Sequence, residues 1–101
     1  MTRVALLASQ QPAEALTLGT RWSEAGDDVT VILLDGATAI LRRDHIDATL
    51  LASARDAGVT ILAHDAAIRD HTITQAVPID VVELDHVAAL IGDTATRVQW
   101  W

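Results

Sequence analysis

The chain has 101 residues, half of them hydrophobic, with 14 acidic side chains against 7 arginines, no lysine and a formal net charge of -7. That composition excludes intrinsic disorder, and the charge argues against a binder of phosphate backbones or anionic membranes, so no direct nucleic-acid or membrane binding is expected. Cysteine is absent, which excludes disulfides, thiolate metal sites and persulfide chemistry on this chain. Residues 1–101 read as one domain, large enough to bury about 65% of its extended-chain surface. No apolar run nears the ~20 residues of a membrane span. No basic segment leads into an apolar leader, so a cytoplasmic protein is expected.

Arg3 to Ala8 is a short apolar run without alternation, as expected of a strand buried on both faces. Pro12 suits the first turn of a helix. From Ala13 to Ala25, the residues Ala15, Leu18, Trp22 and Ala25 recur at helical spacing, and Gly26 ends the helix. Val29 to Leu34 is a β-branched second strand, closed by Asp35-Gly36. Ala37 to Arg43 reads as either a helical turn or a loop. A second helix is expected from Asp44 to Ala57, with Asp44 as N-cap, Asp47 in the first turn and Ile46, Leu50 and Ala54 as its stripe. Gly58 ends it.

Val59 to Ala63 is a third strand, and Asp65 to Asp70 reads as a short helix. Ile79 to Leu84 is a fourth strand with Pro78 at its edge. Asp85 caps a short helix from His86 to Ile91, stopped by Gly92, and Arg97 to Trp101 is a final strand. Ala25-Gly26 before Val29 and Ala57-Gly58 before Val59 mark two helix-to-strand units obeying the same rules. Strands alternating with helices predict an α/β fold, with a mostly parallel sheet and helices on both faces.

Ligands of such sheets bind at the carboxyl ends of the strands. Those ends carry Ser9-Gln10-Gln11, then Asp35 to Thr38, then His64-Asp65, then Asp85-His86. The first turn lacks the glycines of a phosphate loop, so no dinucleotide cofactor is expected. Asp35-Gly36 reads as a turn, in which Asp caps the backbone and Gly takes a positive φ. It also reads as a carboxylate in a binding pocket. His64-Asp65 is open in the same way. Asp65 is a helix N-cap beside a loop histidine, or His64 is a base, a proton carrier or a ligand, imidazole being the group that titrates near neutral pH. His71 lies seven residues beyond, and His45 and His86 fall near helix starts; no metal is expected without a ligand pattern. Arg42-Arg43 reads as a solvated helix start. Trp22 reads as a core or interface residue, and Trp100-Trp101 as a sheet-edge cover or a subunit anchor.

Three stretches, taken with their order and spacing, resemble a known family. They are Ile32 to Ala39, the run Val59-Thr60-Ile61-Leu62 followed by His64-Asp65 and Arg69, and the ending Arg97-Val98-Gln99-Trp100. Together they are similar to the DsrE/DsrF/DsrH-like proteins of bacterial sulfur relay, and most to the DsrH/TusB-like branch. The resemblance covers nearly the whole chain. It implies a three-layer α/β sandwich around a parallel sheet of about five strands, and hexamers of like or unlike subunits. It also implies a working cysteine just after the third strand in members that pass persulfide sulfur, as in 2-thiolation of a tRNA wobble uridine. The corresponding place here is His64 to Ala67, which holds no cysteine, and Asp70 stands where the branch usually has a glycine.

The resemblance therefore implies an accessory, non-catalytic subunit of a sulfur-oxidation or tRNA-thiolation type of assembly. Cysteine-bearing sister subunits would be its partners, with Trp22, Trp100 and Trp101 as assembly contacts. The alternative is a small-ligand-binding protein or enzyme using Asp35, Gly36, His64 and Asp65, with His64 as the one catalytic candidate. A third reading is a plain homo-oligomeric domain.

Overall fold

Arg3–Ala8 forms strand β1, and the chain then turns into helix α1, Pro12–Glu24, with proline at its first turn. Strand β2 is Asp28–Leu33, and a 3-10 helix follows over Asp35–Leu41. Helix α2, Ala48–Asp56, leads to strand β3, Thr60–His64. Strand β4 is Asp80–Val82, helix α3 is Leu84–Gly92 and strand β5 is Thr96–Trp100. This computed structural model describes residues 3–41, 47–66, 80–92 and 96–100. The strands form a sheet in the order β4-β3-β2-β1-β5, with every described pairing parallel.

The two helix-to-strand units end in the same way. Gly26 has φ 103° and Gly58 has φ 99°, a backbone region that L side chains rarely adopt. At the end of α1, the Asp27 N–H donates to the Trp22 carbonyl at 3.1 Å and the Gly26 N–H to Ser23 at 3.0 Å. At the end of α2, Val59 donates to Ala54 and Gly58 to Arg55, both at 3.0 Å. These are paired Schellman closures, which satisfy the last carbonyls and send each chain straight into a strand. The Ser23 hydroxyl donates to the Ala57 carbonyl at 2.8 Å and ties the two helix ends together.

Alternation along the buried strands feeds two apolar clusters. The larger joins Leu6, Ala8, Val31, Leu33, Ile61 and Ala63 of the sheet to Ala15 and Leu16 of α1 and Leu51 and Ala54 of α2. The smaller joins Leu7, Ile32 and Leu62 to Val87 of α3. Side chains one residue apart on a strand thus serve opposite faces, and both faces of the central strands are covered.

Several expectations are corrected in detail. The buried stripe of α1 is Ala15, Leu16 and Gly19, with Trp22 partly buried; Leu18 is half-buried and Ala25 exposed. The stripe is rotated because the helix approaches the sheet at a glycine, which apolar counting passes over. Helix α2 begins at Ala48 instead of Asp44, with Asp47 at the N-cap position but making no side-chain capping bond. Its buried residues are Leu51 and Ala54, with Leu50 partly buried. The stretch after Asp35 is the 3-10 helix, which buries Ala37, Thr38, Ile40 and Leu41. Strand β4 stops at Val82 and Leu84 is helical, so Asp85 lies in the first turn of α3, where the helix dipole favours an acid, instead of capping it. Arg42, Arg43, Asp44, His45 and Ile46 lie outside the described residues, as do Arg69, Asp70, His71, Pro78 and Trp101. Of the short helix expected after β3, only Asp65 and Ala66 are described, and both are helical.

Candidate functional site at the carboxyl edge of the sheet

Parallel strands end on one side, and the register says which residues end together. Ala8 of β1 pairs with Leu33 of β2, Leu33 with Ala63 of β3, and Ala63 with Val81 of β4. The next residues, Ser9, Leu34, His64 and Val82, therefore form one level of the edge. Asp35, Asp65 and Glu83 form the level above it. Neighbouring strands lie about 4.8 Å apart, so Asp35, His64 and Asp65 are brought to adjoining strand ends.

Asp35 and Gly36 are exposed, and His64 and Asp65 are half-buried. His64 is the last residue of β3 and not a loop residue. Leu62 belongs to the α3-side cluster and Ala63 to the opposite one, so alternation returns His64 to the α3 side. The chain after Asp35 turns the other way, since the 3-10 helix packs into the larger cluster. The structure thus gathers the candidates at one edge and divides them between its two faces. Of the other strand-end candidates, Asp85 is exposed in the first turn of α3, and His86 follows it in that helix.

The backbone at Asp35 is unusual. Its φ is 46°, and it is the one non-glycine residue with positive φ among those described. The expectation of a positive φ at Gly36 is therefore corrected: the left-handed step falls one residue earlier. Aspartate tolerates this region better than most side chains. The step is held from both sides. The Ala37 N–H donates to the Ser9 carbonyl at 2.9 Å and to the Leu34 carbonyl at 3.0 Å, and the Leu34 N–H donates to Ala8 at 2.8 Å. The fully buried Thr38 hydroxyl donates to the Asp35 carbonyl at 2.8 Å. The Asp-Gly pair announces a turn, but nothing local says which of the two takes the left-handed step; the bond to Ser9, across the strand gap, decides it.

Asp35→Ala is expected to cost on the order of 1 kcal/mol, because alanine keeps the left-handed penalty without a local polar partner. Asp35→Gly should unfold at or slightly above the urea midpoint of the parent. Equal midpoints for all three proteins would mean that no strain is stored there.

Among the described residues no group of three or more histidine, aspartate or glutamate side chains is placed to hold a metal ion. Among the described residues, every buried side-chain nitrogen or oxygen has a hydrogen-bond partner. No helix among the described residues is long and apolar enough to cross a membrane. Of the aromatic candidates, Trp22 is partly buried against the larger cluster, so its own core takes part of that surface. Trp100 ends β5, an edge strand, opposite Leu7 of β1.

The chain matches no family model and no curated protein. Among solved structures it is similar to a protein of unknown function, MTH1491, from Methanobacterium thermoautotrophicum. The TM-score is 0.75 at 16% identity, over 98% of this chain and 100% of that chain. A likeness at that identity speaks to the fold alone.

Proposed function

We propose that this chain is a non-catalytic, DsrE/DsrH-like subunit that helps to build an assembly whose cysteine-bearing sister chains carry sulfur. One observation carries the reading. The motif order resembles a family of persulfide carriers, yet the chain has no cysteine. Persulfide transfer needs a thiolate as attacking and carrying group. By the resemblance that thiol belongs just after the third strand, and the corresponding stretch here, His64 to Ala67, offers the imidazole of His64 and the carboxylate of Asp65 instead. Neither imidazole nor carboxylate can hold the transferred sulfur, so the sulfur would travel on partner chains. The reading takes the domain as a three-layer α/β sandwich of that family, working in the cytoplasm, with Trp22, Trp100 and Trp101 as candidate assembly contacts.

The test is purification of the tagged protein from its own organism under native, non-reducing conditions, followed by mass spectrometry. Small cysteine-bearing sister proteins in stoichiometric amount are the expected result. Recovery of the protein alone, as a discrete homo-oligomer, would overturn it.

The second reading, a small-ligand site at Asp35, His64 and Asp65, is favoured by the left-handed Asp35, since such backbone outliers cluster at ligand sites. A ligand at about 100 times its Kd would stabilise the fold by about 2.7 kcal/mol. A metabolite panel producing no rise in melting temperature would remove this reading.

A further inference from the structure

The outer face of α1 carries a shallow cleft of about 320 Å³, lined by Ala13, Glu14, Thr17, Leu18 and Arg21. At about 100° per residue these five span one side of the helix, opposite the stripe of Ala15, Leu16 and Gly19 that rests on the sheet. Glu14, Thr17 and Arg21 are exposed, and Ala13 and Leu18 are half-buried. The Thr17 hydroxyl already donates to the Ala13 carbonyl at 2.9 Å. Thr17 can therefore be covered without stranding a donor.

The charges on this face have a symmetry. Glu14 lies in the first turn of α1 and Arg21 in the last. They are seven residues, or two turns, apart, too far to pair with each other on one helix. They are equidistant from a point between Thr17 and Leu18. A two-fold axis through that point, relating two antiparallel α1 helices, brings Glu14 of each chain opposite Arg21 of the other. Leu18 then meets its own copy on one side of the seam, and Thr17 its own copy on the other. Small residues at Ala13 and Thr17 allow the close approach that helix pairs need. A surface that complements itself under two-fold rotation is what an isologous dimer requires.

We infer that the outer face of α1 is a docking surface for a second copy of this chain, packed antiparallel across α1 and held in register by two Glu14–Arg21 pairs. The occupant is fixed by the charge pattern: the face is its own complement. The inference does not rest on the sulfur-relay reading.

Charge reversal tests it on the intact protein, by sedimentation equilibrium at low salt. The parent is expected to dimerise. Glu14→Arg sets arginine against arginine at both ends of the seam, and Arg21→Glu sets glutamate against glutamate. Each variant alone should dimerise about tenfold or more weakly, since like charges across an interface are repulsive. The two variants mixed are complementary and should form a heterodimer of near-parental affinity. The double variant Glu14→Arg/Arg21→Glu should dimerise with itself again. The sites are exposed, and circular dichroism melts of each variant establish that the fold persists. A role limited to the helix dipole predicts that the double variant is the least stable and that mixing restores nothing. A monomeric parent, or a mixture that associates no better than its components, overturns the inference.

Discussion

Gly19→Leu is expected to lower stability by on the order of 3 kcal/mol or more, at or beyond the upper end of overpacking effects. A Cβ at this position would lie 3.2 Å from Val29 Cγ1 and 3.4 Å from both Leu6 Cδ1 and Val31 Cγ2. All three neighbours are buried side chains of β1 and β2. Alanine asks them to give by a few tenths of an ångström. Leucine adds three more carbons where there is no space, so α1 must lift off the sheet and loosen Ala15 and Leu16 beside it. Against a total of about 5–15 kcal/mol for a domain, that is a large share. Gly19→Ala should fall near zero, since about 1 kcal/mol of helix propensity offsets the crowding. Urea unfolding followed by circular dichroism measures both. A parental midpoint for Gly19→Leu would mean that α1 does not rest on the sheet at this point.

The second large effect is on the other face. Val87 is 3% exposed and packs with Leu7, Ile32 and Leu62. Val87→Asp keeps the volume roughly constant and changes the charge. A carboxylate buried there without a partner is expected to cost on the order of 3–5 kcal/mol near neutral pH. Burial disfavours the charged form, so the folded-state pKa of the new aspartate rises above its unfolded value. The folded state then binds the proton more tightly, and acid favours folding. The loss is therefore greatest above the folded pKa and shrinks as pH falls through it. Val87→Asn carries no such titration and should show a pH-independent cost. Urea midpoints near neutrality and in mild acid separate the two variants. An unchanged midpoint for Val87→Asp at neutral pH would mean that α3 is not seated on the sheet through this residue.

Gly19 also shows where the sequence is hard to read. Ala15, Leu18 and Trp22 are visible as an apolar stripe because periodicity registers large apolar groups. The position that sets the helix-to-sheet distance has no side chain, and it looks like a defect in a helix interior. Gly26 and Gly58 were legible for the opposite reason: a glycine after a helix has a local cause, the left-handed step that closes a Schellman motif. Local rules also marked Pro12 at the start of α1 and the β-branched strands. The start of α2 is hard to read because Asp44 and Asp47 are both chemically suitable N-caps. Leu84 is ambiguous because an apolar residue two positions after Val82 suits an alternating strand or a helix equally. At the edge of the sheet, the sequence named Asp35, His64 and Asp65 from strand ends alone, and the register places all three at adjoining strand ends. That His64 belongs to the α3 side while the chain after Asp35 turns to the other followed only from the register and from the burial of the 3-10 helix.

The place of β1 in the sheet has a consequence for how the chain reaches this structure. β1 is made first, yet its two neighbours are β2 and β5, and β5 is made last of the five. Arg3 pairs with Asp28 on one side and with Thr96 on the other. The first pairing is closed by a single helix early in synthesis. The second must wait for nearly everything between, and contacts so distant in sequence slow the search for the native topology. Until then one row of β1 amide and carbonyl groups stays open, an invitation to pair with another nascent chain. Deleting β5 would make that interval permanent, so the truncated protein is a candidate for aggregation during expression even where its remaining strands fold.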